Sequence, residues 1–182
     1  MSRPPPLAFP AGGALQYLDL DDAALLAQCQ VDTYRASGPG GQKRNKTDSA
    51  VRLRHSPTEL IAIGTESRSQ HENKARALRR LRKRLALSLR SSLDAEAYQV
   101  SPVLASCISA AGRLTVGQRD HRYLQVVSEV LDLLAAQGMQ VSTASAGLGV
   151  TTANLVSFLK KDPELWDTVN RLRVAAGLKP LR

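Results

Sequence analysis

Ala50-Val51-Arg52-Leu53-Arg54-His55-Ser56-Pro57-Thr58-Glu59-Leu60-Ile61-Ala62-Ile63-Gly64-Thr65 holds two short runs separated by a turn signal. In residues 50–55, Val51 and Leu53 alternate with Arg52 and Arg54, the period-2 pattern of a strand with one face on a core and one in water. Ser56-Pro57-Thr58-Glu59 carries turn chemistry, because proline presets φ and serine can bond its own backbone. Residues 60–65 then form a second strand, and the two make a hairpin. Upstream, Val31, Thr33 and Arg35 alternate with Asp32 and Tyr34, so residues 30–35 read as another strand. Downstream, Ser69 with Glu72 three residues later is a capping-box signature, and Ala75, Leu78, Leu81, Leu85 and Leu89 follow at helical spacing. The opposite face of that helix holds Arg76, Arg79, Arg80, Lys83 and Arg84. A short sheet followed by a long basic helix places the chain in the α+β class.

Working outward from this centre, residues 19–28 suit a short helix with acidic residues at its start and Ala23, Leu25, Leu26 and Cys29 for packing. Residues 1–18 are rich in Pro, Gly and Ala without periodicity and read as a flexible lead-in. Residues 45–49 have room for a helical turn or two. The first folded domain is expected over 19–92, and small residues with Pro102 and two glycines mark 93–117 as a linker or connecting helices. Residues 118–182 read as an all-α unit. Within it, Tyr123–Ala136 is a helix with Leu124, Val127, Leu131 and Leu134 inward. Residues 143–159 have the spacing of a helix-turn-helix, with Gly149 at the turn, Val150 beneath it, and Leu155 and Leu159 anchoring the second helix. An ordinary small helical bundle fits the same pattern. Trp166 reads as a core anchor of this unit rather than a platform for a base.

At 182 residues and 43% hydrophobic content the chain has enough apolar side chains for a core. No run approaches the roughly 18 consecutive apolar residues of a membrane span, and the start lacks a charged-then-apolar export signal. A cytoplasmic protein with no membrane partner is expected. Cys29 and Cys107 have no metal-knuckle or disulfide spacing, so both are expected as reduced, packed thiols. Net charge is +9, and it is concentrated: residues 35–90 hold 15 Lys/Arg against 4 Asp/Glu, the remainder 10 against 12. Such a block marks a surface for a polyanion, most often nucleic acid.

That basic block contains Gly38-Pro39-Gly40-Gly41-Gln42. Glycine tolerates positive φ and has no Cβ, so Gly40 and Gly41 let main-chain N–H groups approach a substrate that larger residues would hold away. Gln42 carries a side chain with both donor and acceptor capacity, suited to orienting water. No Ser-His-Asp set, Cys-His set or carboxylate pair flanks it, and His71 and His55 stand in segments with other duties.

The run Val31-Asp32-Thr33-Tyr34-Arg35-Ala36-Ser37-Gly38-Pro39-Gly40-Gly41-Gln42, continued by Asn45-Lys46-Thr47-Asp48-Ser49-Ala50-Val51-Arg52, resembles the catalytic domain of class I peptide chain release factors. Ser67-Arg68-Ser69-Gln70-His71-Glu72-Asn73-Lys74-Ala75-Arg76-Ala77-Leu78 resembles the segment that opens the long helix of that domain, in the same order. The resemblance implies that Gly40, Gly41 and Gln42 are the catalytic tip, which in this family enters the ribosomal peptidyl transferase centre and promotes hydrolysis of the peptidyl-tRNA ester. It implies the ribosome, through its RNA and peptidyl-tRNA, as partner, and a domain over 19–92 of the release-factor catalytic type. Ester hydrolysis needs a placed water and an oxyanion donor. The Gln42 N–H can supply the donor, worth about 3 kcal/mol by analogy with other oxyanion holes. The chemistry reads as substrate-assisted, with no metal or organic cofactor required. A loop that must enter a narrow tunnel suits a monomer.

Residues 1–30 ahead of the match are too few for a separate codon-reading domain, and the Gly38-Pro39 start of the loop resembles small relatives that rescue stalled ribosomes. The expected activity is therefore codon-independent peptidyl-tRNA hydrolysis, with Lys43, Arg44, Lys46, Arg52, Arg54, Arg68, Lys74, Arg76, Arg79, Arg80, Lys83 and Arg84 binding ribosomal RNA. The other reading is a catalytically idle RNA- or ribosome-binding module, or a nucleic-acid-binding regulator acting through the helix-turn-helix. Against the regulator, residues 151–159 carry no positive charge before Lys160 and Lys161.

Overall fold

Strands form where the alternation lies, and the computed structural model of the chain, which describes residues 13–35 and 49–182, places three of them side by side. β1 (Cys29–Tyr34), β2 (Ala50–His55) and β3 (Ile61–Gly64) make an antiparallel sheet in the order β1-β2-β3. The register sets Val31 opposite Leu53, Asp32 opposite Arg52 and Tyr34 opposite Ala50, while Arg52 faces Ile63 and Arg54 faces Ile61. Because side chains alternate, Val51, Leu53, His55, Ala62 and Gly64 share the buried face, and Arg52, Arg54, Ile61 and Ile63 the exposed one.

The long helix α3 (Gln70–Ser88) starts where the capping signature puts it, with the Glu72 N–H donating to Ser69 Oγ at 3.3 Å. Leu78, Leu81 and Leu85 are buried as the spacing requires. Ala75 is only half-buried, and Asn73 and Ala77 are fully buried in its stead. The shift has a cause in Gly64, where an added Cβ would stand 2.1 Å from the Asn73 carbonyl oxygen. β3 thus meets the helix backbone directly, and the face presented there is centred on Asn73 and Ala77.

Ahead of the sheet lie α1 (Leu15–Leu18), a turn that no periodicity marks, and α2 (Asp22–Ala27). Asp21 caps α2 by accepting from the Ala24 N–H at 2.7 Å, which starts the helix later than its acidic run suggests. Arg82 on α3 ties this region down, donating to the carbonyls of Leu18 (3.2 Å) and Leu20 (2.7 Å) and to Asp22 (2.9 Å). Cys29 is half-buried and Cys107 buried, both as free thiols, and burial raises the pKa of Cys29.

The chain divides into two compact units, one of residues 16–85 and one of 86–182 with the described residues 13–15. The second unit contains α4 (Pro102–Ala105), α5 (Tyr123–Ala136), α6 (Val141–Gly147), α7 (Thr152–Lys160) and α8 (Pro163–Ala175). α5 is the central element: Val126, Val127, Val130, Leu131, Leu133 and Leu134 are all buried, whereas Leu124 is half-exposed. Each full burial of such a side chain contributes about 1.5–3 kcal/mol before entropy is counted. Arg90 and Asp132 form a buried pair at 3.1 Å, and Asp132 also accepts from the Ser91 N–H. Burial lowers the Arg90 pKa to about 10 and pushes the Asp132 carboxyl up.

α6 and α7 are the two helices of the expected helix-turn-helix. Gly149 at the turn has φ +67°, a conformation open to glycine at little cost, and Thr151 caps α7 through the Asn154 N–H. Val150, Leu155 and Leu159 are buried. Trp166 is half-buried, with Lys160 Nζ 5.2 Å from its ring centroid. Among the described residues, no helix is long and apolar enough to cross a membrane.

Candidate functional site

The glycine-rich tip expected to carry the chemistry, Gly40, Gly41 and Gln42, lies outside the described residues, as do Lys43, Arg44 and Lys46. What the structure describes is the frame from which that segment leaves and to which it returns. Tyr34 at the end of β1 pairs with Ala50 at the start of β2, so the two ends are neighbours in one sheet. The returning end has a second anchor. Asn73 Nδ2 donates to the Ser49 carbonyl at 2.6 Å and to the Ser67 carbonyl at 2.7 Å, and its Oδ1 accepts from the Ser67 N–H at 2.9 Å.

This amide is fully buried and uses both donor hydrogens and its acceptor. It joins three things: the residue after the glycine segment, the approach to the long helix, and the helix itself. Sequence reasoning does not single it out. The signal is present, because Asn73, Ala77, Leu81 and Leu85 form an unbroken series four residues apart, and a polar residue inside such a stripe must find partners there.

The basic residues expected at the site fall into three groups. Some are occupied on the sheet's outer face, where Arg52 donates to Asp32 at 2.9 Å and Arg54 pairs with Glu59. Others bind the sheet edge: Arg80 donates to the Ile63 carbonyl and pairs with Glu66, and Arg84 donates to the Ile61 carbonyl. The Arg80 guanidinium holds the Glu66 carboxyl down at about 2. Arg76 stands a loose 3.8 Å from Glu72, and Lys83 also has an interaction. The third group, Arg68, Lys74 and Arg79, has no side-chain hydrogen bond or ion pair among the described residues.

At the end of β2, on the buried face of the sheet, His55 is fully buried, with Nδ1 accepting from Thr58 Oγ1 at 2.7 Å and Nε2 donating to Gln28 Oε1 at 3.0 Å. The Tyr17 ring meets it edge-on, 4.7 Å between centroids. Burial lowers its pKa, and with both nitrogens bonded inside the fold it serves structure.

A hairpin-and-helix frame around a Gly-Gly-Gln segment is the arrangement that the resemblance implies. Residues 25–106 match the RF-1 domain family. The match runs from α2 through the sheet and α3 to α4, so the resemblance to the class I release factor catalytic domain is borne out over that length. Among curated proteins, peptide chain release factor 1 of Leptothrix cholodnii is 63% identical over 59 residues, covering 32% of this chain and 16% of its own length. Peptide chain release factor 1 of Delftia acidovorans is 53% identical over 70 residues, 38% of this chain and 19% of that one. That of Syntrophobacter fumaroxidans is 47% identical over 79 residues, 43% and 21% respectively. The chain spans about a fifth of the length of these curated relatives. The α5–α8 helices lie beyond the RF-1 domain match.

Proposed function

We propose that the chain hydrolyses the peptidyl-tRNA ester on the ribosome without reading a stop codon. The observation that carries this reading is the RF-1 domain match over residues 25–106, which contains Gly40, Gly41 and Gln42. Relatives of the matched stretch are named peptide chain release factors. Codon independence is supported by the Gly38-Pro39 start of the loop, which resembles rescue relatives.

In this reading the reacting geometry is built largely from main chain: Gly40 and Gly41 leave space for the ester, the Gln42 N–H donates to the developing oxyanion, and the Gln42 side chain orients the attacking water. A preorganised donor of this kind contributes about 3 kcal/mol to the transition state. The partners are ribosomal RNA and peptidyl-tRNA, met by Arg68, Lys74 and Arg79 together with Lys43, Arg44 and Lys46.

The test is a release assay on ribosomes loaded with labelled peptidyl-tRNA, with and without messenger RNA in the decoding site. Equal peptide release in both is expected. Gly41→Ala should abolish release, because a Cβ closes the approach of the backbone, while Gln42→Ala, which keeps the N–H, should retain part of it. Release confined to ribosomes with a stop codon in place would overturn codon independence, and no release from either would overturn the enzymatic reading.

A further inference from the structure

The second unit holds a cleft whose lining lies outside the RF-1 domain match. It lies between the loop closed by the Ile108–Leu114 bridge and helix α7, has a volume of about 710 Å³, and is lined by Arg113, Thr115, Thr151, Ser157 and Lys161 among others. Its walls are held in place. The Leu114 N–H donates to Asn154 Oδ1 at 2.9 Å, Asn154 Nδ2 donates to the Leu114 carbonyl at 3.5 Å, and Gln118 Nε2 donates to the Lys161 carbonyl at 2.8 Å. At the tip of the loop, a Cβ on Gly112 would stand 3.0 Å from the Gly149 carbonyl oxygen, so loop and helix turn are in close approach.

The charges in the cleft are unbalanced. Neither Arg113 nor Lys161 has a side-chain hydrogen bond or ion pair among the described residues, and no carboxylate lines the cleft. Four of the acids of the same unit are engaged elsewhere. Glu129 accepts from Tyr98 Oη, Ser101 N–H and Ser101 Oγ; Asp132 is buried with Arg90; Asp162 is buried against Tyr123 Oη at 2.9 Å; Asp120 is held by Arg122 at 2.7 Å. Two uncompensated cations from different elements, with hydroxyl groups on the same walls, make a site for a phosphate-bearing ligand.

We propose that this cleft binds the phosphodiester backbone of double-stranded RNA. Next to it the exposed residues over 152–157 of α7 are Thr152, Ala153 and Ser157, small side chains that let a backbone come close. Sequence readout of DNA needs Arg, Lys, Asn or Gln free to reach base edges in the major groove. Over residues 152–157 of α7 the one such side chain, Asn154, is held by Leu114, and Lys160 at the helix end lies over the Trp166 ring. An RNA duplex offers phosphates and 2′-hydroxyls across a shallow minor groove, which cations and hydroxyls recognise without base contacts. The choice of RNA rests on the ribosomal reading above, but the experiment scores binding and not hydrolysis, so the two can fail separately.

Full-length protein is titrated with a labelled RNA duplex of about 16 base pairs, and hydrogen exchange is followed along the chain. Residues 109–115 and 151–161 should gain protection. The double variant Arg113→Glu, Lys161→Glu should lose that protection, bind about tenfold more weakly, and show a salt slope shallower by about 2, near one for each phosphate no longer neutralised. Arg171→Glu on α8, a charge reversal in the same unit away from the cleft, should leave both unchanged. If the reversed pair fails to fold by circular dichroism, Arg113→Gln, Lys161→Gln is used with the same expectations. Unchanged affinity and protection in the cleft variant would overturn the proposal. So would protection by intact ribosomes without protection by the RNA duplex, which indicates a protein contact, or tighter binding of a DNA duplex of the same sequence.

Discussion

One side chain, Asn73, supports the return of the glycine segment to the sheet, and its energetics can be stated. Replacing it with alanine leaves the Ser67 N–H and the carbonyls of Ser49 and Ser67 without their partner in a partly buried place. Each such orphan costs roughly 1–3 kcal/mol, with water able to reach some of them, so Asn73→Ala should destabilise the first unit by about 3 kcal/mol in urea unfolding. Retained stability would mean that the amide's bonds are replaceable. His55 makes a second prediction at this scale. Its folded pKa lies below the ordinary 6.5, so between the two values the unfolded chain binds the proton and the folded chain resists it. Stability is therefore full above about pH 6.5 and declines as pH falls below it, by at most about 1.4 kcal/mol per pH unit. Urea midpoints at about pH 7.5 and about pH 5.5 should differ more for the wild type than for His55→Gln. A difference of equal size would place the titration elsewhere.

At the scale of elements, the strands and the long helix were legible because their patterns are local. Val51 and Leu53 alternate with arginines along β2, Ser69 and Glu72 mark the start of α3, and Gly149 and Val150 mark the turn between α6 and α7; each sits where the spacing placed it. The register of α3 against the sheet was not legible. It depends on Gly64 admitting the helix backbone, a contact between residues distant in sequence, and this moved burial from Ala75 to Asn73 and Ala77. The arginines show the same limit. Arg79, Arg80 and Arg84 look alike as letters on a polar helix face, yet Arg80 and Arg84 cover carbonyls of β3, which has no further strand beside it in the described sheet. Exposed edge groups invite pairing with another chain, and a charged side chain laid along them prevents it. Only the fold separates a cation that satisfies a strand edge from one that remains available to a phosphate.

For the molecule as a whole, that separation decides how strongly salt should weaken binding to its proposed polyanionic partner. Residues 35–90 hold 15 Lys/Arg, and if all of them neutralised phosphates, log K would fall with log salt at a slope beyond about −10. Arg52, Arg54, Arg80 and Arg90 already have carboxylate partners, and Arg82 and Arg84 are held by carbonyls, Arg82 by Asp22 as well. Breaking these contacts would leave polar groups of the protein to be satisfied anew, which offsets much of the gain from a new phosphate contact. Of the rest of the block, Arg76 is paired with Glu72, and Arg35 and Lys83 have interactions of their own; that leaves Arg68, Lys74 and Arg79 in the described fold and Lys43, Arg44 and Lys46 outside the described residues, to which Arg113 and Lys161 in the cleft of the second unit add. Ribosome co-sedimentation across a salt series should therefore give a slope of about −4 to −7. The double variant Lys74→Gln, Arg79→Gln should flatten it by about 2, whereas Arg52→Gln, Arg54→Gln should change it little. A wild-type slope near −10, or equal flattening by the two double variants, would show that the ion pairs on the sheet open when the partner binds.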